Sequence, residues 1–161
     1  MPSSAEASRP KPKRSKGGEF EANKGFGIGL QIGVPTGVTG KYYLSVDTAL
    51  DFAVGNYYRR SGRGINFHAD FLWHPLVLGK TDSIWVPFYL GIGARILDHN
   101  RDRDDQDLHF GVRAPFGIAI DFTNVPIDIF LELALVLDVV QDGDHNLTDF
   151  NLALGMRYYF N

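Results

Sequence analysis

The 161-residue chain contains no cysteine, which excludes a disulfide framework and any thiolate metal site and leaves the redox state of its compartment undecided. It also lacks a long apolar run. No stretch approaches the roughly 18 consecutive apolar residues of a spanning helix. A membrane helix is therefore excluded, but a membrane barrel is not, because its strands spread the apolar signal over alternate positions. Nor is there a basic excess. Sixteen Lys and Arg stand against 19 Asp and Glu, and the basic residues gather on no strand face, which argues against a nucleic-acid partner. Residues 1–24 are almost without apolar side chains and carry six Lys or Arg against three Glu, with several Pro and Ser. They read as a disordered basic tail. With no apolar h-region the tail is not itself a secretory signal, and the expectation is that an upstream signal was removed or that its start is missing. Set against the chain's net −3, the tail's +3 leaves −6 on residues 25–161, which have room for one domain.

What is present is a period of two. Bulky apolar residues take every second position in eight segments: Phe26 to Val34, Val38 to Val46, Leu50 to Tyr58, Ile65 to Trp73, Ile84 to Ile96, Leu108 to Phe122, Ile127 to Val139 and Phe150 to Phe160. Such spacing puts one set of side chains on one face of a β-strand and the intervening set on the other. The intervening set holds Gly27, Gly29, Gly33, Gly55, Gly91, Gly93, Gly111, Gly117 and Gly155. It also holds Lys41, Asp51, His68, Asp70, Arg95, Arg113, Asp121, Asp128, Glu132, Asp138 and Arg157.

Turn signals separate the runs. Val34-Pro35-Thr36-Gly37, Val46-Asp47-Thr48, Arg60 to Gly64, His74 to Asp82, Asp98 to Asp107, Thr123 to Pro126 and Gln141 to Asn146 make seven connections, all short enough to join antiparallel neighbours. The expected topology is an up-and-down meander. The odd connections are mostly charged and the second and sixth are tight, the asymmetry of an outer-membrane barrel whose short turns and both termini face the periplasm. The fourth is long and apolar, and its Leu76, Val77 and Leu78 fit an extension of strands four and five below the membrane.

Alternation alone does not say which face points inward, since a soluble eight-stranded barrel shows the same period. Volume decides. The lumen of eight strands is only just filled by side chains and cannot hold the whole bulky apolar set, whereas glycines fit it. Glycine on a water-exposed strand weakens it and packs nothing. The polar face is therefore expected inside and the apolar face against lipid, with strands of 10 to 14 residues, longer than the roughly 9–11 that suffice. Tyr42, Tyr58, Trp73, Phe122, Tyr158 and Phe160 lie near strand ends, at headgroup level.

Gly155-Met156-Arg157-Tyr158-Tyr159-Phe160 resembles the C-terminal targeting signal of outer-membrane barrels, with Gly155, Met156, Tyr158 and Phe160 in its pattern. Asn161 departs from it, because the aromatic is usually last. With the strand count, residues 25–160 resemble the eight-stranded OmpA/OmpX class. Val86 to Gly93, Val112 to Gly117 and Val125 to Glu132 are similar to a family of uncharacterised small bacterial barrels that carries no assigned chemistry. The resemblance implies a bacterial outer-membrane location, recognition by the barrel assembly machinery, and membrane lipid and lipopolysaccharide as surroundings.

The candidate site is the lumen. Lys41, Asp51, Asp70, Arg95, Arg113, Glu132, Asp138 and Arg157 are expected to form an ion-pair network, since unpaired charges there would be costly. Glu132 with Arg157, Lys41 with Asp51, and Arg95 and Arg113 with Asp138 are the expected pairs. The same network admits a second reading, a gated pore for small solutes or ions. Asp98, Asn100, Asp102 and Asp104 resemble a calcium loop, yet the sixth-position glycine and closing glutamate are missing and Arg101 and Arg103 compete. Some barrels of this size modify lipid A with an activated serine, but Ser45, Ser61 and Ser83 have no histidine two residues away. The reading is an all-β, eight-stranded membrane barrel with a structural or interaction role, without catalysis or cofactor, whose tail is a candidate periplasmic contact.

Overall fold

The computed structural model describes residues 25–59, 62–100, 106–139 and 148–160. Eight strands form one closed antiparallel barrel in sequence order: β1 (Phe26–Gly33), β2 (Thr36–Tyr43), β3 (Thr48–Arg59), β4 (Gly62–Lys80), β5 (Ile84–Asn100), β6 (Gln106–Phe122), β7 (Ile127–Val139) and β8 (Thr148–Phe160). β1 closes against β8, with Phe26 opposite Phe160 and Gly33 opposite Ala153. The strands are strongly tilted. Paired residues lead from Gly27 through Lys41, Asp51, Asp70, Gly93, Arg113 and Val136 to Asp149. This path starts at the terminal end of β1 and arrives on β8 beyond the last β1 partner, which is the stagger that closing a sheet requires.

The two-residue period sorts side chains as volume predicts. Leu30, Ile32, Ile92, Phe150, Leu152 and Met156 point outward and are exposed, while Lys41, Asp51, Asp70, Arg95, Arg113, Glu132 and Arg157 are buried inside. An exterior of aliphatic and aromatic side chains around a charged interior suits lipid better than water, because lipid leaves that apolar area without a hydration cost. Tyr42, Trp73, Tyr158 and Phe160 are exposed at the end where the termini lie, and Phe122 is half-buried there. The side chain of Tyr58 lies outside the described set.

Strand lengths differ from the 10 to 14 residues expected. β1 and β2 have 8 residues each, and β4, β5 and β6 have 19, 17 and 17. The expected fourth connection is mostly strand. β4 runs on to Lys80, paired with β5 through Leu76–Phe88 and Lys80–Trp85, with register shifts between Trp73 and Leu76 and between Val77 and Gly79. Those irregularities break the alternation and make Leu76-Val77-Leu78 look like a loop. The first connection is only Val34-Pro35, short and uncharged, against the rule for odd connections. Val46, read as outward, is buried at 4% exposure in the turn between β2 and β3, a segment outside the strand phase. The fifth and seventh connections lie largely outside the described residues.

Turns at the terminal end are fastened to one another. Ser45 Oγ donates to Asp47 Oδ1 at 2.8 Å, and the Asp47 carbonyl accepts the His74 backbone N–H at 2.8 Å. Thr123 Oγ1 donates to the Asp82 carbonyl at 2.8 Å, joining the β6–β7 turn to the β4–β5 turn.

Candidate functional site

The lumen is filled in layers. At the terminal end, Ala49, Leu72, Tyr89, Ala119 and Phe130 form a buried apolar cluster with Tyr43 packed on it. His74 stands between Tyr43 and Tyr89, with ring centroids at 5.5 and 5.7 Å, and Tyr43 lies 6.0 Å from Tyr159. Three of these aromatics face a glycine on the adjacent strand: Tyr89 opposite Gly117, Phe130 opposite Gly155 and Tyr159 opposite Gly27. A Cβ on any of those glycines would come within 2.7 Å of the ring or hydroxyl opposite. Each glycine is thus the space into which an aromatic ring leans. Phe52 and Gly40 repeat the arrangement on the outer face.

Lys41 enters this aromatic layer. Its Nζ lies 2.9 Å from His74 Nε2 and about equally far, 4.9 and 5.0 Å, from the ring centroids of Tyr43 and Tyr89. His74 Nδ1 is 2.9 Å from the Asp47 carbonyl, an acceptor only. The proton therefore sits on Nδ1 and Nε2 accepts from the Lys41 ammonium.

Above the plug, three arginines each engage two carboxylates. Arg157 reaches Asp51 at 2.9 Å and Asp128 at 3.5 Å, its guanidinium 3.9 Å from the centroid of Phe130. Arg113 holds Asp70 at 2.9 Å and Glu132 at 2.5 Å, and Tyr89 donates to the other oxygen of Glu132 at 3.0 Å. Arg95 grips both oxygens of Asp138 at 2.6 and 2.7 Å and reaches Asp149 at 3.2 Å. Every one of these links spans the lumen between strands that are not neighbours, except Arg113–Glu132 between β6 and β7 and Arg157–Asp128 between β7 and β8.

All eight expected network residues thus face one interior, with partners that differ in part from expectation. Glu132 meets Arg113, not Arg157. Lys41 stands beside Asp51 in register but turns to His74, and Asp51 is taken by Arg157. Arg95 has Asp138, whereas Arg113 has Asp70. Asp149, His74, Tyr43, Tyr89, Phe130 and Tyr159 were not among the expected network residues. Their parity is the available signal, since Tyr159 shares the phase of Arg157, and Phe130 that of Asp128 and Glu132.

Of the targeting residues, Met156, Tyr158 and Phe160 point outward and Gly155 inward. In the calcium-like loop, Asp102, Asp104 and the side chain of Asn100 lie outside the described residues, and Asp98 is half-buried on β5. Ser45 is engaged in its turn with Asp47 and Thr48, and Ser83 with Asn124. Asp51, His68 and Asp70 bring ligand-type atoms within 4.8 Å of one another inside the barrel.

No protein-family profile matches the sequence, and no curated protein matches it. Among solved structures, the chain is similar to the N-terminal β-barrel domain of Pseudomonas aeruginosa OprF, with a TM-score of 0.62 and 16% identity, covering 84% of this chain and 94% of that one. At that identity the likeness establishes the fold, a small closed barrel of the eight-stranded OmpA type.

Proposed function

We propose that the chain is an integral protein of the bacterial outer membrane with a structural or interaction role, its barrel a closed wall element and not a conduit. Its termini and tight turns face the periplasm, and its longer connections face lipopolysaccharide. The observation that carries this reading is the filled lumen: an aromatic plug followed by three arginines, all 1% exposed, each holding two carboxylates. A solute path would require several buried pairs to separate together, and each broken pair leaves an uncompensated buried charge. The likeness to a barrel domain from an outer-membrane-type fold supports the location. No catalytic role is assigned, and the basic tail is the candidate periplasmic contact.

Planar-bilayer recording of the detergent-folded protein tests this reading. The expected result is no resolved opening events. Stepwise openings from pure protein would replace it with the narrow-pore reading. Heat-modifiable gel migration of the same preparation is expected, since a closed barrel resists detergent until it is boiled. Removing residues 1–24 is expected to reduce co-sedimentation with cell wall if the tail makes that contact.

A further inference from the structure

We infer that Asp51, His68 and Asp70 form a binding site for one divalent transition-metal ion of the zinc class, enclosed in the lumen. The placement follows from the strand period. His68 and Asp70 are two residues apart on β4 and share its inner face, and Asp51 on β3 is the register partner of Asp70. Their exposures are 2% for Asp51, 1% for His68 and 2% for Asp70. One ligand atom from each falls within 4.8 Å of the others. Bonds of about 2.0–2.2 Å to nitrogen and carboxylate oxygen place such atoms roughly 3.3 Å apart, so no edge need close by more than about 1.5 Å, within reach of side-chain rotation.

Two further observations point to a ligand. Asp70 Oδ1 is buried with no hydrogen-bond partner among the described residues. His68 Nδ1 lies 3.1 Å from Asp70 Oδ2, the separation of two atoms that share one ion. A carboxylate oxygen enclosed without a hydrogen-bond partner is costly. The charge count is the second observation. Facing the lumen among the described side chains are four cations, Lys41, Arg95, Arg113 and Arg157, against seven carboxylates, Asp51, Asp70, Asp121, Asp128, Glu132, Asp138 and Asp149. An excess of negative charge in an enclosed interior is offset by a bound cation.

Arg113 and Arg157 do not exhaust the donor set. Arg113 Nε engages Asp70 Oδ2, and Arg157 Nη2 engages Asp51 Oδ1, and each carboxylate has a second oxygen. Guanidiniums placed this way orient the ligand carboxylates from outside the coordination sphere. One imidazole and two carboxylates favour zinc, manganese or ferrous iron over calcium or magnesium, which take all-oxygen sets. The closed walls imply that the ion enters as the barrel folds.

The experiment folds the full chain into detergent with Zn2+ or with Mg2+, strips loose metal with EDTA, and measures retained metal by mass spectrometry. Wild type is expected to retain about one zinc per barrel and no magnesium, and His68→Gln and Asp51→Asn to retain at least tenfold less. Asp138→Asn removes a lumen carboxylate outside the site and is expected to retain zinc as wild type does. Heat-modifiable migration checks that each variant closes. Should the site variants fail to close, folding wild type with Co2+ gives an independent readout, the visible d–d bands of a nitrogen- and oxygen-ligated ion. Wild-type barrels that hold no zinc after EDTA, His68→Gln barrels that hold as much as wild type, or cobalt barrels without those bands would each overturn the assignment.

Discussion

Arg157 on β8 meets Asp51 on β3 at 2.9 Å although β1 and β2 lie between those strands in the wall. Its guanidinium also lies over Phe130, so one side chain joins the aromatic plug to the charged layers. Arg157→Met keeps much of the volume but leaves Asp51 and Asp128 buried without their cation. The expected loss is about 3–5 kcal/mol, the usual cost of removing one partner from a buried pair. Adding Asp51→Asn and Asp128→Asn to the same chain is expected to recover most of it. Urea unfolding in lipid, followed by the fluorescence of the two tryptophans, measures both. Equal stability of the single and triple variants would show that the pairs carry no such weight.

Gly117 leaves the space that Tyr89 occupies, and a Cβ there would stand 2.7 Å from the phenol oxygen. Gly117→Val is expected to push Tyr89 away from Glu132 and to crowd the Leu131 carbonyl, which lies closer still to that Cβ, at a cost of about 3 kcal/mol, the upper end of overpacking. The double variant Gly117→Val with Tyr89→Ala is expected to be less destabilised than the sum of the singles, since removing the phenol relieves its share of the clash and leaves that with the carbonyl. Additive losses in a double-mutant cycle would count against the pairing.

How much of this was readable in the sequence depends on the link concerned. The inward and outward sets follow from parity, because a pleated strand gives each side chain only two directions. Pairings are harder. Arg157 and Asp51 are brought together by closure and stagger, which no local pattern encodes, whereas Lys41 and Asp51 are register neighbours that do not bond. Leu76-Val77-Leu78 misleads because bulges shift the phase. The glycines were legible as small, but not as partners of Tyr89, Phe130 and Tyr159, since that needs the register between strands.

Leu152 and Asn151 are consecutive on β8 and face opposite media. Leu152 is 55% exposed on the outer face, and Asn151 is 2% exposed within the lumen. Leu152→Arg is expected to cost about 2–4 kcal/mol in a bilayer, as a cation near the midplane of a barrel's lipid face does. Refolding yield and urea unfolding in vesicles measure it. A negligible effect in vesicles would mean that this face does not meet hydrocarbon.

Arg95 makes the outermost of the three arginine links, and its carboxylates differ in one respect from those of Arg157. The Asp138 and Asp149 side chains are 21% and 19% exposed, against 2% for both Asp51 and Asp128. Water can therefore solvate the outer pair when its cation is removed, and the penalty falls from that of a buried pair toward the roughly 0–1 kcal/mol of an exposed one. Arg95→Met is expected to cost less than half of what Arg157→Met costs. Its effect should be local instead. Arg95 ties β5 to β7 and to β8 through Asp138, Asp149 and Asn151, so amide hydrogen exchange of Thr148 to Asn151 is expected to quicken while that of Gly155 to Tyr159 stays as in wild type. Uniform acceleration along β8, or a stability loss equal to that of Arg157→Met, would contradict the argument from solvent access.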